Sequence, residues 1–298
     1  MDTAKTKVAL VMPVHNRREI TLQGIRSLDA MNSDGLDVRI YVVDDGSTDG
    51  TADAVEQTFP NVVLIRADGT LHYAAGTNCG IEHALEWEPE FVATMNDDAV
   101  FHPDFLKWLI HTARENERSI IGSLLLLWDE PHRVFQVGQT WDTLSGGWII
   151  PNDVTIFNVS QEPFDVECIV GNCVLFPVEA IRECGLMDEK RFPHGWGDAQ
   201  WLMRMRKSGW RLMVDPRSRV WCEPNNYPDA LHTMPAREKL KALFVNERHP
   251  LNLKRQFVAR WDSAPTHAEA AAAFAVYLGS LVGKAFDYGF KRRAHGPS

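Results

Sequence analysis

An α/β fold with a mostly parallel sheet flanked by helices is predicted by three observations. Short β-rich runs alternate with helix-like apolar spacing over the first 126 residues, polar clusters follow three of those runs, and 298 residues at 45% hydrophobic content can bury one large core. The strand candidates lie at 8–12, 38–43, 62–65, 91–95 and 120–126, and segments 18–31, 51–57, 77–86 and 103–116 between them carry apolar residues at helical spacing. This alternation implies right-handed crossovers. Ligands of such sheets sit at the carboxyl ends of the strands, so the residues just after each strand are the ones to inspect.

From 128 to 166, Gly138, Gly146, Gly147, Pro151 and Pro163 punctuate short apolar pieces and predict hairpins and loops. A strand is expected at 167–176, with helices at 178–184 and 199–208. Beyond Pro235 the composition shifts. Residues 236–260 hold Arg237, Lys239, Lys241, Arg248, Lys254, Arg255 and Arg260 against Glu238 and Glu247. Two regions are expected: a domain over 1–235, with halves 1–126 and 127–235, and a basic, helical C-terminal extension over 236–298.

Composition excludes several classes. Lys and Arg total 31 against 40 Asp and Glu, a net charge of -9, so no nucleic-acid partner is expected. Five cysteines without a CxxC pair indicate neither a disulfide framework nor a zinc site, which favours a reducing compartment. No run approaches the roughly 18 uninterrupted apolar residues of a membrane span. A cytoplasmic protein is expected. Peripheral contact with the inner face of the cell membrane is anticipated through the C-terminus, where Phe274, Leu278, Leu281, Val282 and Phe286 recur at helical spacing near Lys284, Lys291, Arg292 and Arg293.

The chemistry concentrates after strands one, two and four, which end in MPVHNR (12–17), VVDDGSTDGT (42–51) and MNDDA (95–99). Carboxylates directly after buried strands are costly unless they meet a cation or hydrogen-bond donors, so Asp44, Asp45, Asp97 and Asp98 need partners. Ser47 or Asp49 suits the cap of the next helix. A cap does not explain two adjacent carboxylates.

PVHNR followed by VVDDGSTDGT resembles the opening of family 2 glycosyltransferases, and the resemblance extends, with gaps, to about Val220. It implies the Rossmann-like GT-A fold and places Pro13, Val14, Asn16, Arg17, Asp44 and Asp45 around the base and ribose of a nucleotide sugar. DGTLHYAAGTNCGI (68–81) is similar to the family's loop before a helix, with Ala75, Gly76 and Asn78 at matching positions. Small residues at a helix N-terminus let a diphosphate approach backbone N–H groups. Asn96, Asp97 and Asp98 align with the DxD-type motif, in which Asp98 contacts Mg²⁺ or Mn²⁺ and Asp97 or Asn96 contacts the ribose or the metal's water. Both cations want hard oxygen ligands, typically one or two carboxylates plus phosphates and water.

Residues 171–189 and the following GWGDAQ stretch are similar to the acceptor side of the family. The resemblance implies Gly171 and Asn172 as acceptor-binding residues and Asp198 as catalytic base, although Asp198 also suits a helix cap, and Trp196, two residues before it, offers an aromatic face of the kind that stacks on sugar rings. Of Trp141, Trp148, Trp196, Trp201 and Trp221, only Trp196 is assigned to the acceptor. Two positions depart from the family. Gly197 stands where an acidic residue is common, and Cys222 stands where a metal-ligating histidine is common, leaving Glu223 or Asn225 as substitutes because a neutral thiol is a poor Mg²⁺ ligand.

The implied activity is metal-dependent, inverting transfer from a UDP- or dTDP-sugar to a hydroxyl of a glycan or lipid-linked glycan, similar to rhamnosyltransferase-like enzymes of bacterial polysaccharide synthesis. A nucleotide-binding oxidoreductase would show GxGxxG after strand one, and a nucleotidyltransferase would show a Gly-rich basic loop there. Neither is present. Gly197 and Cys222 motivate one alternative, a non-catalytic nucleotide-sugar or carbohydrate-binding protein on a degenerate transferase fold.

Overall fold

The computed structural model describes residues 5–151, 153–169, 171–193, 195–223, 234–246, 249 and 251–294, with backbone alone at 236 and 284–294. Two compact units emerge, one from Met1–Gln139 with Ile150–Pro224 and one from Thr140–Ile149 with Asn225–Ser298.

In the first unit, β1 (Thr6–Val14), α1 (Arg18–Asp29), β2 (Leu36–Asp45), α2 (Thr51–Thr58), β3 (Val63–Ala67), α3 (His72–Leu85) and β4 (Phe91–Met95) form the parallel half. There follow β5 (Ala99–Phe101), α4 (Phe105–Glu115), β6 (Ser119–Leu127) and β7 (Val134–Gln136). The strands order as β10-β12-β6-β11-β4-β1-β2-β3, where β10 is Phe164–Asp165, β11 is Cys173–Pro177 and β12 is Arg211–Cys222. β11 lies antiparallel between β4 and β6, and β12 pairs parallel with β6. The fold is therefore the mixed, mostly parallel sheet flanked by helices that the sequence predicts.

Strand alternation assigns the two faces. Val8, Leu10, Met12 and Val14 of β1 pack with Leu22, Ile25 and Leu28 of α1 and Phe105, Leu106 and Leu109 of α4. Ala9 and Val11 turn to the other face, against Ile81 of α3 and Trp201 and Leu202 of α6 (Gly197–Lys207). α5 (Val178–Cys184) covers the same face through Val178, Ala180 and Ile181.

Two departures from the sequence expectation, and one strand the sequence reading did not place, have physical causes. α3 starts at His72, five residues before the expected 77, because Asp45 at the end of β2 accepts from the N–H groups of Leu71 (3.1 Å) and His72 (2.7 Å). That anchor is remote in sequence. The strand expected at 167–176 begins only at Cys173, since Cys168 instead makes an isolated bridge to Gln139. β12 runs 12 residues through Pro216, which is tolerated because the register shifts by a bulge between Asp215 and Arg219.

The second unit holds a hairpin of β8 (Thr140–Asp142) and β9 (Gly147–Ile149), together with α7 (Ala236–Leu240), a π-helical turn (Lys241–Val245), α8 (Leu253–Ser263) and α9 (His267–Ala294). Trp141 and Trp148 meet edge to face at 5.3 Å, and Trp148 donates to Ser263 Oγ at 3.0 Å. Arg260 donates to the Gly146 carbonyl at 2.8 Å while its guanidinium lies over the Tyr277 ring at 4.3 Å. Trp141 and Trp148 are thus anchors within this unit.

Candidate active site

β1 has β2 on one side and β4 on the other, so the chain order reverses at β1, and the carboxyl ends of β1 and β4 are where sheets of this kind take ligands. One side chain spans the ends of the two strands. Arg17 Nη1 donates to Asp97 Oδ1 at 3.0 Å and to Asp98 Oδ2 at 3.2 Å, and Nη2 donates to Asp98 Oδ2 at 3.2 Å. Glu223, just past β12, stands 4.0 Å from the same Nη2. Asp97 also accepts from Thr21 Oγ1 at 3.3 Å. Burial pushes the Asp97 carboxyl up to about 6 in spite of the opposing pull of Arg17. Asp98 Oδ1 and Asn96 Oδ1 are buried and have no hydrogen-bond partner among the described residues.

The ends of β1, β2 and β3 form the neighbouring cluster. Asp44 Oδ1 accepts from Ser47 N at 2.7 Å, whereas its buried Oδ2 has no partner among the described residues. Asp45 spends both oxygens on Leu71 and His72. Asn16 acts as a latch: its N–H donates to Ser47 Oγ at 2.8 Å and its Oδ1 accepts from Thr48 N at 2.7 Å. The expected cap by Ser47 or Asp49 does not form. Gly50 is the N-cap of α2, without a side-chain bond, while Asp49 binds the Thr51 and Arg18 N–H groups. Gly46 is required here, since it has φ +68° and a Cβ would lie 2.6 Å from Gly69 N. Pro13 packs on Gly76, bringing the N-terminal part of α3 against the end of β1, with Val14 buried and Ala75 partly exposed beside them.

On the acceptor side, the Asn172 carbonyl accepts from Asn96 N at 3.1 Å, tying the residue before β11 to the end of β4. Gly171 N donates to Asp198 Oδ2 at 3.0 Å. Asp198 is not the helix cap: that position belongs to Trp196 at φ 64°, and Asp198 stands in the first turn of α6 and turns to Gly171 instead. A left-handed tryptophan is strained, as is left-handed His72 at φ 60°. Tyr73 emerges as a residue the sequence did not single out. Burial raises its phenol, and the negative Asp198 and then Asp98 raise it further, so both carboxylates act on one ring. Only its place within LHYAAGTN hinted at this.

Asn78 lies apart from these clusters. Its amide donates to the Met187 carbonyl (3.0 Å) and Glu189 (2.8 Å) and accepts from Met187 N (3.0 Å), clamping the segment after α5. Trp201 is fully buried core. Cys222 is completely buried, and burial pushes its thiol up to about 12, so it stays neutral and supplies no hard ligand. Asn225 and His194 lie outside the described residues.

The donor set fits a hard divalent cation. Among the described residues no group of three or more His, Cys, Asp or Glu could hold a metal alone, and Mg²⁺ or Mn²⁺ is ordinarily held by one or two carboxylates plus phosphate oxygens. Asp98, with one buried oxygen unpartnered among the described residues, suits that arrangement.

The fold is that of the GT-A glycosyltransferases. Over 99% of this chain and 77% of the other, it superimposes on the mannosyltransferase of Pyrobaculum calidifontis, solved with GDP-Man and Mn²⁺, at TM-score 0.63 and 16% identity. The structure of GalNAc-T7 with UDP, GalNAc and Mn²⁺ matches at TM-score 0.59 and 14% identity over 75% of this chain, which spans 44% of that protein. The chain belongs to glycosyl transferase family 2: residues 9–185, more than half of its length, match that family. Its relatives include the N-acetylglucosaminyl-diphospho-decaprenol L-rhamnosyltransferase of Mycobacterium tuberculosis, 25% identical over 71% of this chain and 76% of that protein. A second is the GalNAc(5)-diNAcBac-PP-undecaprenol beta-1,3-glucosyltransferase of Campylobacter jejuni, 27% identical over 40% and 38%.

Proposed function

We propose that this glycosyltransferase moves a sugar, with inversion, from a UDP- or dTDP-sugar to a hydroxyl of a lipid-linked glycan, and that the transfer is metal-dependent. The observation that carries it is geometric: the buried Asp98, with one oxygen unpartnered among the described residues, follows Asn96, whose N–H donates to the Asn172 carbonyl, and the neighbouring Gly171 N–H holds Asp198 at 3.0 Å. Asp98, assisted by Asp97 or Asn96, would hold the Mg²⁺ or Mn²⁺, whose charge neutralises a departing diphosphate. Asp44 Oδ2, unpartnered among the described residues, would accept from the base, and the N-terminal part of α3 at Ala75 and Gly76 would face the diphosphate.

Asp198 is the proposed base. An acceptor hydroxyl is a poor nucleophile at neutral pH, and a carboxylate that takes its proton as the bond to the anomeric carbon forms permits direct displacement, which inverts configuration. Gly171 orients that carboxylate by its N–H bond. Trp196 offers an aromatic face two residues away, suited to a sugar ring. Two relatives act on polyprenyl-diphosphate-linked glycans, and one is a rhamnosyltransferase; their names support a lipid-linked acceptor and make a dTDP-sugar the first donor to try. The test is incubation with dTDP- and UDP-sugars, Mn²⁺ and a polyprenyl-diphosphate-linked N-acetylglucosamine, with product anomer read by NMR. A retained anomer excludes the mechanism, and nucleotide-sugar binding without any product favours the non-catalytic alternative that Gly197 and Cys222 motivate.

A further inference from the structure

The residue spanning the ends of β1 and β4 is itself a cation. Arg17 is the N-cap of α1, and its carbonyl is fixed by Thr21 N at 2.9 Å, so the guanidinium can leave without moving the backbone. Its side chain is 38% exposed, whereas those of Asp97 and Asp98 are 9% and 10% exposed. The carboxylates are fixed within the protein and the positive charge stands at the mouth. One guanidinium faces three carboxylates, counting Glu223 at 4.0 Å, and Asp98 still has a buried oxygen with no partner among the described residues.

We propose that Arg17 is an exchangeable counter-ion: in the nucleotide-free protein it holds the position of the divalent cation, and metal enters when a nucleoside diphosphate arrives with it. This rests on the donor-site assignment above. Entry of a metal alone would trade charge-assisted hydrogen bonds to two carboxylates for an ion with few protein ligands. A diphosphate changes the balance twice. It supplies the missing oxygen ligands, and it gives the displaced guanidinium a bidentate anionic partner.

Mn²⁺ binding to the full-length chain, followed by electron paramagnetic resonance of the free ion, tests the exchange with and without UDP or dTDP. Arg17→Gln should bind Mn²⁺ alone roughly tenfold more tightly than wild type, the scale of one partly buried ion pair. With nucleotide present that advantage should shrink severalfold. Arg17→Lys keeps a cation in place and should stay near wild type. Equal or weaker nucleotide-free Mn²⁺ binding by Arg17→Gln overturns the exchange, and nucleotide-dependent Mn²⁺ binding in the same preparations leaves the donor-site assignment standing. Absence of Mn²⁺ binding in every protein, even with UDP or dTDP, overturns both.

Discussion

The N–H of Gly171 and the carboxylate of Asp198 are joined at 3.0 Å, and a Cβ on Gly171 would lie 2.4 Å from the same oxygen. The contact fixes where the proposed base points and requires glycine at 171. Asp198→Asn keeps the shape but cannot take a proton, so kcat should fall by about 10² to 10⁴ with donor affinity nearly unchanged. Gly171→Ala should give a smaller kcat loss by displacing the carboxylate. Steady-state kinetics with both variants check this, and near wild-type kcat in Asp198→Asn would rule Asp198 out as the base and direct the search to other carboxylates such as Glu223 or Asp188.

Asp98→Ala removes the proposed metal ligand. Transfer should be abolished, and the increment in nucleotide affinity that Mn²⁺ confers should disappear, because the diphosphate loses its bridging cation. Calorimetric titration of UDP and dTDP with and without Mn²⁺ measures that increment. Full transfer by wild type in excess EDTA would count decisively against metal dependence.

Asp97 gives a pH signature. Its folded-state carboxyl is raised to about 6 from an ordinary 3.8, so folding favours the protonated form. The stability it contributes is therefore complete below about 3.8 and lost as pH rises through about 6, a difference of about 3 kcal/mol. Relative to Asp97→Asn, the metal-free wild type should lose stability between pH 4 and 7 and change little above. Urea unfolding of both proteins across that range checks the sign, and a difference that grows with pH would contradict it.

The parallel half of the fold was legible because its strands are apolar and β1, β2 and β3 are each followed by a helix-period segment, and β4 is Phe91–Met95 as expected; outside that half, α5 is Val178–Cys184 as expected. What the sequence could not show were partners remote along the chain. The start of α3 depends on Asp45, 26 residues before Leu71, and the N–H bond that orients Asp198 comes from Gly171, 27 residues away. Pro216 disguised β12, since its bulge depends on the register with β6. The strand-end carboxylates were legible because burying them without partners is expensive anywhere. Arg17 as their partner was not, for PVHNR alone does not say which strand end its last side chain crosses to.

Asn78 matches a family position by residue type, and its side chain is committed to Met187 and Glu189. Asn78→Ala would leave the Met187 carbonyl and N–H without these partners, so it should destabilise the protein by about 2 kcal/mol. Thermal melting should show a drop of roughly 5 °C. Nucleotide affinity measured below the transition should stay close to wild type. A large affinity loss with an unchanged melting temperature would instead support the direct nucleotide role that the family match implies.

The C-terminal unit carries the prediction about membranes. No helix among the described residues is long and apolar enough to cross a bilayer. Around the π-helical turn, Leu240, Phe244 and Val245 are 60%, 64% and 72% exposed, and Arg237, Lys239 and Lys241 stand among or just before them. Apolar side chains left in water beside clustered positive charge suit an anionic interface, where each basic residue near the surface contributes about 1 kcal/mol. The protein should co-sediment with phosphatidylglycerol-containing vesicles at low salt and be released by about 0.5 M NaCl, as the Debye length shortens. Removing α9 would be a poor control, because Gly146 of the hairpin packs against Ala273 and Tyr277 and the unit would lose its core. Leu240→Ser with Phe244→Ser, both at exposed positions, should weaken co-sedimentation several-fold while leaving the melting temperature and transfer to a water-soluble acceptor unchanged. Undiminished vesicle binding by that variant, or no binding by wild type at low salt, would remove this surface from the proposal and leave the basic C-terminal stretch to another partner.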